Sequence, residues 1–379
     1  MKIGILAANT GNGHISVMNA LRKEFNCQGV KDVKCFPLFY EDMMISNKIL
    51  SRFYNFLMIN SPALCEKYCE FTYINRGDLS EEFYLGVKDY VENFLQENKF
   101  DILISVSHTI NYALIRIIKE MKMDHVMDYL IVITDPYEPI AVGYAVTGAQ
   151  KYYCANEIVK KILIKSHVED KRILVSGYPV DSKFEKQQLN KSDILRKMQF
   201  NEKKKIVLIN AGSQGINLYY NILKTIIKDN LQIIFICGKN EILYHRCQNY
   251  VKKMKLESCV KIFPFVENLH EYLYVSDLVI TKAGANSIYE SLIMEKPILI
   301  EAIEGFLFQE KGIQQLIIQY QFGEILENLD CLNKKILYML EDQRIELYRK
   351  QIRTMNVQNG CKNIVHDVIK MKKERFITQ

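Results

Sequence analysis

Several patterns that mark metal sites, secreted proteins or membrane spans are missing from this sequence. Its 379 residues hold no two aspartates separated by one residue, and its ten cysteines form neither a CxxC pair nor a His/Cys cluster at zinc spacing. No apolar run reaches about 18 residues, which excludes a spanning helix. The chain also opens on a strand-like segment, Lys2 to Ala8. We therefore expect reduced thiols, no metal and a cytoplasmic address, with any membrane contact peripheral, on the inner face of the cell membrane.

A strong charge of one sign is also lacking. The formal net charge of +6 comes from 50 basic and 44 acidic residues, which is a modest excess on a mixed surface. This balance favours anionic small ligands or an anionic membrane surface as partners and argues against nucleic acid.

What the chain does contain is an alternation of short β-branched runs with longer amphipathic stretches. Strands that read as continuous apolar runs between helices predict parallel sheets covered on both faces, so the predicted fold class is α/β. The chain is longer than a single hydrophobic core normally supports, which predicts two domains. The predicted strands are Ile3 to Ala7, Ile102 to Val106, Leu130 to Ile133, Ile173 to Val175, Ile206 to Ile209, Ile233 to Cys237, Leu278 to Thr281 and Ile298 to Ile300.

The composition of the chain indicates where the two predicted domains join. Tyr178 to Lys205 contains Pro179, few large apolar residues and a charged run. We predict an N-terminal domain over 1–180, a linker over 181–203 and a C-terminal domain over 204–345. Residues 346–379 are predicted to form a helix that packs back toward the N-terminal domain.

The segment Phe36 to Tyr73 differs from the rest in its dense aromatic and methionine content, interleaved with Lys48, Arg52 and Lys67. Two interpretations stay open. The segment is either a core helix of the first domain or a hydrophobic element that faces the acceptor or a membrane.

The first predicted strand runs into a turn, Asn9 to His14, that opens a helix. Gly11 and Gly13 permit a tight strand-to-helix turn, and His14 lies at the opening, where a histidine with a pKa near neutrality is suited to act as a general base toward an attacking hydroxyl. The alternative is a histidine that only caps the turn. The pattern is not GxGxxG and no acidic residue stands where a dinucleotide ribose needs one, so an NAD site is not expected.

A carboxylate and a second histidine follow two other predicted strands of the first half. Asp135 ends the run Tyr129 to Thr134, and His108 follows the run that ends at Val106. The carboxyl ends of parallel strands are where sites lie in open α/β sheets. Asp135 can orient His14, act as the base itself, or only cap a turn, and His108 is a candidate for lining an acceptor pocket.

In the second half, two small-residue loops follow predicted strands. Ala211 to Gly215 is expected to open a helix and to let a phosphate approach main-chain N–H groups. The run Asp277 to Glu290 predicts a strand, a turn and a helix with Ala285, Asn286 and Ser287 in its first turn. The partial positive charge of that helix N-terminus, about +0.5, would stabilise a diphosphate without a metal. The alternative is that Ser287 is only an N-cap and Glu290 a solvated residue.

Taken together, the motifs resemble the glycosyltransferase family of monogalactosyldiacylglycerol synthase and processive diacylglycerol glucosyltransferase, of the family 28 type. The resemblance covers nearly the whole chain. Its motifs are Gly11 to His14, Tyr54 to Leu57, Thr134-Asp135, Gly177 to Val180, Ile236 to Asn240, Phe265 to Leu269, Ile280 to Gly284, Glu290 to Leu292, Pro297 and Gln309-Glu310.

The resemblance implies a GT-B architecture, in which two Rossmann-like domains face a central cleft and the C-terminal one holds a UDP-sugar. The implied reaction is an inverting, metal-independent transfer of a hexose to a hydroxyl of a lipid such as diacylglycerol, without a cofactor. His14 matches the proposed base, with Asp135 as the second catalytic candidate and His108 and Tyr137 on the acceptor side. The implied UDP-sugar site comprises Gly13, Gly212, Ser213, Gln214, Gly238, Phe265, Val266, Leu269, Gly284, Ala285, Asn286, Ser287, Glu290, Gln309 and Glu310.

The chain also departs from the family pattern. Pro136 to Tyr144 replaces the His-Pro and Trp/His residues that lipid-galactosylating members carry after the aspartate, and Leu307-Phe308 replaces Pro-Gly before Gln309. Three alternatives are kept: a soluble glycosyltransferase acting on a small hydrophobic natural product, a non-catalytic nucleotide-sugar-binding protein, and a nonhydrolysing nucleotide-sugar epimerase.

Overall fold

A computed structural model describes residues 1–10, 13–185, 189–227 and 230–377. The chain divides into two compact units, considered separately below. The first unit comprises Met1–Tyr54, Glu66–Ser182 and Gln358–Gln379, and the second comprises Asn55–Cys65 and Lys183–Val357.

Strands and helices alternate along the described residues. The strands are β1 (Ile3–Leu6), β2 (Val33–Phe36), β3 (Ile102–Ser105), β4 (Asp128–Val132), β5 (Lys151–Cys154), β6 (Ile173–Val175), β7 (Lys205–Asn210), β8 (Leu231–Ile236), β9 (Val260–Phe263), β10 (Leu278–Lys282), β11 (Ile298–Glu301) and β12 (Gly323–Leu326). The helices are α1 (Gly13–Cys27), α2 (Phe39–Met43), α3 (Ile45–Asn60), α4 (Pro62–Asn75), α5 (Glu81–Asn98), α6 (Asn111–Glu120), α7 (Glu157–Lys165), α8 (Lys191–Met198), α9 (Tyr219–Thr225), α10 (Glu241–Lys253), α11 (Leu269–Val275), α12 (Ala285–Ile293), α13 (Ile313–Tyr320), α14 (Leu332–Met339), α15 (Asp342–Thr354) and α16 (Gly360–Ile377).

The first unit contains a parallel sheet with the strand order β2-β1-β3-β4-β5-β6. Its central strands β1 and β3 are buried along their whole length because helices cover both faces of the sheet. The order changes direction between β1 and β3, so the carboxyl ends of these two strands border the crevice where ligands bind in open α/β sheets.

The second unit contains a parallel sheet with the order β12-β11-β10-β7-β8-β9. Here the order changes direction between β7 and β10, which are paired from Leu278 with Val207 to Thr281 with Asn210. The predicted fold class, α/β with parallel sheets, is confirmed, and each predicted apolar run coincides with a strand. The sequence analysis missed β2, β5, β9 and β12.

The stretch predicted as a linker contains a helix. Helix α8 buries Ile194, Leu195 and Met198 and packs on α11 within the second unit, because these apolar residues line one face of the helix. Residues 186–188 of the predicted linker lie outside the described residues.

The predicted C-terminal helical stretch consists of two helices. Helix α15 ends at Thr354, and the chain passes through Asn356, whose φ of +47° is incompatible with a continuing helix. Helix α16 packs on α1 in the first unit. Asp367 on α16 accepts a hydrogen bond from Tyr153 Oη at 2.9 Å, and Lys372 donates one to Asp101 at 2.9 Å.

The aromatic segment 36–73 folds into helices of two kinds. Phe39 and Met43 of α2 are buried in the core of the first unit. Helices α3 and α4 instead expose large apolar side chains, among them Ile45 at 82% and Phe71 at 63%. Among the helices of the described ranges, none is long and apolar enough to cross a membrane.

Candidate active site

The switch point of the first sheet brings together His14 and His108, which are 94 residues apart in sequence. His14 is the second residue of α1 and is 8% exposed, and His108 follows β3. Their ring centroids are 6.0 Å apart in an edge arrangement. His14 Nδ1 lies 3.3 Å from Thr10 Oγ1. Gly13 begins α1, whereas Gly11 and Asn12 of the predicted turn lie outside the described residues.

A buried tyrosine that the sequence analysis did not single out completes this cluster. The hydroxyl of Tyr144 lies 3.3 Å from His14 Nε2 and 2.6 Å from Thr134 Oγ1, and it donates a hydrogen bond to the carbonyl of Val106 at 2.9 Å. Tyr144 is fully buried. No local pattern marks this residue, because its role depends on a contact between positions 130 residues apart.

The burial of the two histidines keeps them neutral. Burial lowers the pKa of His14 to about 3; His108 adds to this lowering, and a hydrogen bond with the backbone of Ala8 opposes it. Burial also lowers the pKa of His108 to about 4, while Asp78 acts in the opposite direction. Both imidazoles are therefore uncharged at neutral pH, the form in which a ring nitrogen can accept a proton.

Asp135 lies beyond the end of β4 and shapes the loop that follows it. One of its carboxylate oxygens, Oδ2, accepts a hydrogen bond from the N–H of Ala141 at 2.8 Å. This is the turn-shaping role that the sequence analysis left open beside the two catalytic ones. Tyr137 in the same loop is 2% exposed, so it presents little surface to an acceptor.

In the second unit, the loops after β7 and β8 pack tightly against each other. Gly212 has a φ of +78° and Gly238 a φ of +62°, values that favour glycine. A Cβ added at Gly238 would lie 2.2 Å from the carbonyl oxygen of Gly212 and 2.6 Å from that of Ser213. Ser213 also accepts a hydrogen bond from the N–H of Lys239 at 2.9 Å. The predicted donor-site residues Gly212, Ser213 and Gly238 are thus neighbours.

The loop over 211–215 does not open a helix directly, contrary to the sequence-based expectation. Helix α9 begins only at Tyr219, because Gly212 and Gly215 both have positive φ and form a turn in which the N–H of Gly215 donates to Gly212. Gln214 lies within this turn and is partly exposed.

The loop after β10 has the predicted strand-turn-helix form. Gly284 is the N-cap of α12, and Ala285, Asn286 and Ser287 form its first turn with their side chains partly exposed. Glu290 lies in the second turn and is also partly exposed. The carbonyl of Gly284 accepts the N–H of Ile288 at 3.1 Å, which anchors the first turn of the helix.

Charged side chains cluster beside Gly284. A Cβ added at Gly284 would lie 3.2 Å from Lys282 Cε and 3.7 Å from Glu310 Oε1, and one added at Gly212 would lie 3.7 Å from the same Lys282 carbon. Lys282 therefore lies between the loops after β7 and β10. Lys282 belongs to the sequence motif Ile280 to Gly284, but it was not among the predicted site residues.

Two buried carboxyl groups accompany this lysine. Glu301 is paired in register with Lys282 and is 8% exposed, and its Oε1 accepts the N–H of Ile303 at 2.7 Å. Burial raises the pKa of Glu301 to about 7 and also raises the pKa of Glu310, which Lys282 opposes. Gln309 and Glu310 lie in a 3₁₀ turn, Phe308–Glu310, after β11.

The remaining predicted donor-site residues follow β9. Phe265 is 45% exposed, with Lys239 Nζ 5.5 Å from its ring centroid. Val266 is partly exposed and Leu269 begins α11. All five loops thus leave the carboxyl edge of one sheet. Within the part of the chain that the structure describes, no group of three or more His, Cys, Asp or Glu side chains is placed to hold a metal ion.

Comparison with known families gives one match in each half of the chain. Residues 14–180 match the monogalactosyldiacylglycerol (MGDG) synthase family, and residues 206–303 match the glycosyltransferase family 28 C-terminal domain. The processive diacylglycerol beta-glucosyltransferase of Bacillus licheniformis is 24% identical over 96% of this chain and 94% of its own length.

Solved structures with the same fold include MurG of Acinetobacter baumannii, with a TM-score of 0.64, 14% identity and coverage of 98% of this chain and 100% of that one. The UDP-GlcNAc 2-epimerase of Neisseria meningitidis bound to UDP-GlcNAc has a TM-score of 0.61 and 12% identity, with coverage of 99% and 100%. These likenesses establish the GT-B fold. The two family matches and the similarity to the Bacillus licheniformis enzyme show that the chain is a UDP-sugar-dependent hexosyltransferase, similar to monogalactosyldiacylglycerol synthases over its first half and to family 28 glycosyltransferases over its second.

Proposed function

We propose that this protein transfers a hexose from a UDP-sugar to a hydroxyl group of a lipid acceptor such as diacylglycerol, with inversion and without a metal ion. The observation that carries the proposal is the buried, neutral His14 at the switch point of the first sheet. A hydroxyl group is a poor nucleophile at neutral pH, and a general base typically contributes about 10²–10⁴-fold to such a reaction.

In the proposed reaction His14 takes the proton of the acceptor hydroxyl while the oxygen of that hydroxyl bonds to the anomeric carbon of the hexose. The bond between that carbon and the diphosphate oxygen breaks, and UDP leaves with the electron pair. A single displacement of this kind inverts the configuration at the anomeric carbon.

The second unit is proposed to hold the donor. The N–H groups of the first turn of α12 carry a partial positive charge of about +0.5. Lys282 adds a positive charge between the loops after β7 and β10, which contain Gly212 and Gly284. We propose that these groups bind the diphosphate and offset its charge in place of a metal. Glu290 would then bind the ribose, and the main chain around Phe265 and Val266 would bind the uracil.

The hexose is assigned to the 3₁₀ turn after β11. Glu310 presents a carboxyl group beside Gly284, and Gln309 precedes it in the same turn with an amide group. Such groups can donate and accept hydrogen bonds with several sugar hydroxyls, which is how a site selects one hexose over another.

The lipid acceptor is supported by the similarity to the processive diacylglycerol beta-glucosyltransferases and by the surface of α3 and α4. Ile45, Ile49 and Phe53 are spaced four residues apart along α3 and are 82%, 61% and 47% exposed. We propose that this stripe contacts a membrane with the help of the exposed basic residues around it. Helices with an apolar stripe and basic flanks bind in the membrane interface.

This membrane proposal is tested with a charge-matched pair of variants. Replacing Lys48, Arg52 and Lys67 by serine is expected to weaken binding to anionic vesicles, because each basic residue near such a surface contributes about 1 kcal/mol. The control replaces the exposed Lys252, Lys253 and Lys255 of the second unit by serine and is expected to bind as the wild type does. Equal binding to neutral and anionic vesicles would favour a soluble acceptor.

A soluble acceptor is the second candidate because the loop after Asp135 departs from the pattern of the lipid-galactosylating relatives. Incubating the pure protein with several UDP-sugars and a total lipid extract, followed by mass analysis, distinguishes the two. New glycolipid supports the proposal. Interconversion of the UDP-sugars without an acceptor would point to an epimerase, and UDP-sugar binding without any turnover to a non-catalytic protein.

The role of His14 is tested by replacing it with alanine. Turnover is expected to fall about 10²–10⁴-fold while UDP affinity stays near the wild-type value, because His14 belongs to the first unit and the proposed nucleotide site to the second. The matched control is His125→Ala, whose side chain is 82% exposed and which is expected to change neither quantity. Normal turnover in His14→Ala would remove the proposed base.

A further inference from the structure

We infer that Tyr144 is the positioning residue for His14: its hydroxyl accepts the Nε2–H of the imidazole and leaves Nδ1 as the nitrogen that receives the proton. The inference rests on the proposed function of His14 as the base. It assigns a role to a residue in the loop where this chain departs from its relatives.

The assignment follows from the single proton of the Tyr144 hydroxyl. The carbonyl of Val106 can only accept a hydrogen bond, and it lies 2.9 Å from the hydroxyl, closer than His14 Nε2 at 3.3 Å. The Tyr144 proton therefore goes to Val106. The hydroxyl can then only accept hydrogen bonds from its other neighbours, which include the side chain and backbone of Thr134 and His14 Nε2.

A neutral imidazole carries one N–H, so a proton on Nε2 leaves Nδ1 bare. Thr10 Oγ1 lies 3.3 Å from Nδ1 and can donate a hydrogen bond to this bare nitrogen, in the position that an acceptor hydroxyl would take over. Burial raises the pKa of Tyr144 well above its usual range, so its hydroxyl keeps its proton at neutral pH.

The loop that carries Tyr144 is held at several points. Asp135 accepts the N–H of Ala141 at 2.8 Å, and Asn111 Nδ2 donates to the carbonyl of Gly143 at 2.9 Å. A Cβ added at Gly143 would lie 2.2 Å from the carbonyl oxygen of His108, so the loop packs directly on the segment after β3. These contacts fix the Tyr144 hydroxyl in place, as a residue that orients a base requires.

The tautomer of His14 provides a test that does not depend on activity. In ¹⁵N-labelled full-length protein, the His14 resonances are identified by their absence from His14→Gln. The wild type is expected to show a protonated Nε2 and an unprotonated Nδ1. In Tyr144→Phe, which keeps the ring and removes the hydroxyl, the other tautomer is expected to become populated.

Kinetics test the consequence for the reaction. Tyr144→Phe is expected to lower kcat about 10-fold or more while the KM for the UDP-sugar and the affinity for UDP stay unchanged, because a misplaced base slows the chemical step alone. The matched control is Tyr152→Phe. Tyr152 is equally buried in the first unit, and its hydroxyl also donates to a backbone carbonyl, that of Val146 at 2.6 Å. This control is expected to match the wild type in kcat and in the His14 tautomer.

The outcomes separate this inference from the proposed function. A wild-type His14 protonated on Nδ1 overturns the inference even where Tyr144→Phe does not fold, and so does an unchanged tautomer in a folded Tyr144→Phe. If His14→Ala keeps its turnover, the proposed function fails whichever nitrogen carries the proton.

Discussion

Replacing Gly238 by alanine tests whether the packed loops after β7 and β8 form part of the donor site. The added Cβ would lie 2.2 Å from the carbonyl oxygen of Gly212, and side-chain carbons essentially never approach closer than 3.0 Å. The two loops must therefore separate by about 0.8 Å. The φ of +62° adds backbone strain for any residue with a Cβ.

The magnitude of the effect follows from these two terms. A left-handed backbone conformation costs about 1–2 kcal/mol for a residue with a Cβ, and an overpacked site typically costs about 1–3 kcal/mol more. Gly238→Ala should thus destabilise the second unit by about 2–5 kcal/mol. The control is Gly305→Ala in the same unit, where φ is +84° but the added Cβ meets no atom within 4 Å, so only the strain of about 1–2 kcal/mol applies.

The assays are thermal unfolding and UDP binding by calorimetry, both below the unfolding temperature of each variant. We expect Gly238→Ala to bind UDP at least about 10-fold more weakly, a loss of about 1.4 kcal/mol, and Gly305→Ala to bind it as the wild type does. Wild-type affinity in a folded Gly238→Ala would refute the reasoning, because the loop displacement would then leave the nucleotide site untouched.

Three other predictions concern single side chains. Glu290→Ala should weaken UDP binding by about 1–3 kcal/mol in calorimetry when its carboxylate binds the ribose, and unchanged affinity would remove that assignment. Burial raises the pKa of Glu301 from 4.5 to about 7, so the folded state holds this proton more tightly than the unfolded state does. The resulting contribution to the unfolding free energy is about 3 kcal/mol. It is fully present below about pH 4.5 and is lost as pH rises through about 7. Glu301→Gln, which keeps the acceptor for the N–H of Ile303, should lose this pH dependence of the unfolding free energy, whereas the exposed Glu327→Gln should retain it. Because the pKa of His14 is lowered to about 3, kcat should not fall with a midpoint near pH 6.5 on acidification, and a midpoint near pH 6.5 in the pH profile of kcat would contradict a buried, neutral His14 as the base.

The apolar runs of the sequence were enough to predict the fold class and the central strands. Strands such as Ile102–Ser105 and Ile298–Glu301 lie between helices on both faces of a sheet, so their first three positions are apolar and the run is visible locally. The edge strands Val33–Phe36 and Val260–Phe263 could not be recognised from an apolar run. They each include a lysine and are only partly buried, so their composition resembles that of a loop.

The glycine and small-residue loops were likewise visible, because the chain leaves a strand and re-enters a helix within a few residues there. Gly284 followed by Ala285 could be placed at the start of α12 from the sequence alone. The later start of α9 at Tyr219 could not, since the positive φ values of Gly212 and Gly215 arise from the packing of this turn against the loop after β8.

The environment of each candidate group was decided by tertiary structure. His14 was recognisable as a candidate base from its place after a strand, but its neutrality comes from burial and its partner is a tyrosine 130 residues away. Glu301 likewise resembles an ordinary strand residue in the sequence, and it is its burial that raises its pKa to about 7, an effect that the neighbouring Lys282 opposes. Local sequence specifies which groups reach the carboxyl edge of a sheet, whereas the proton affinity of those groups depends on solvent exclusion and on neighbours that only the folded chain assembles.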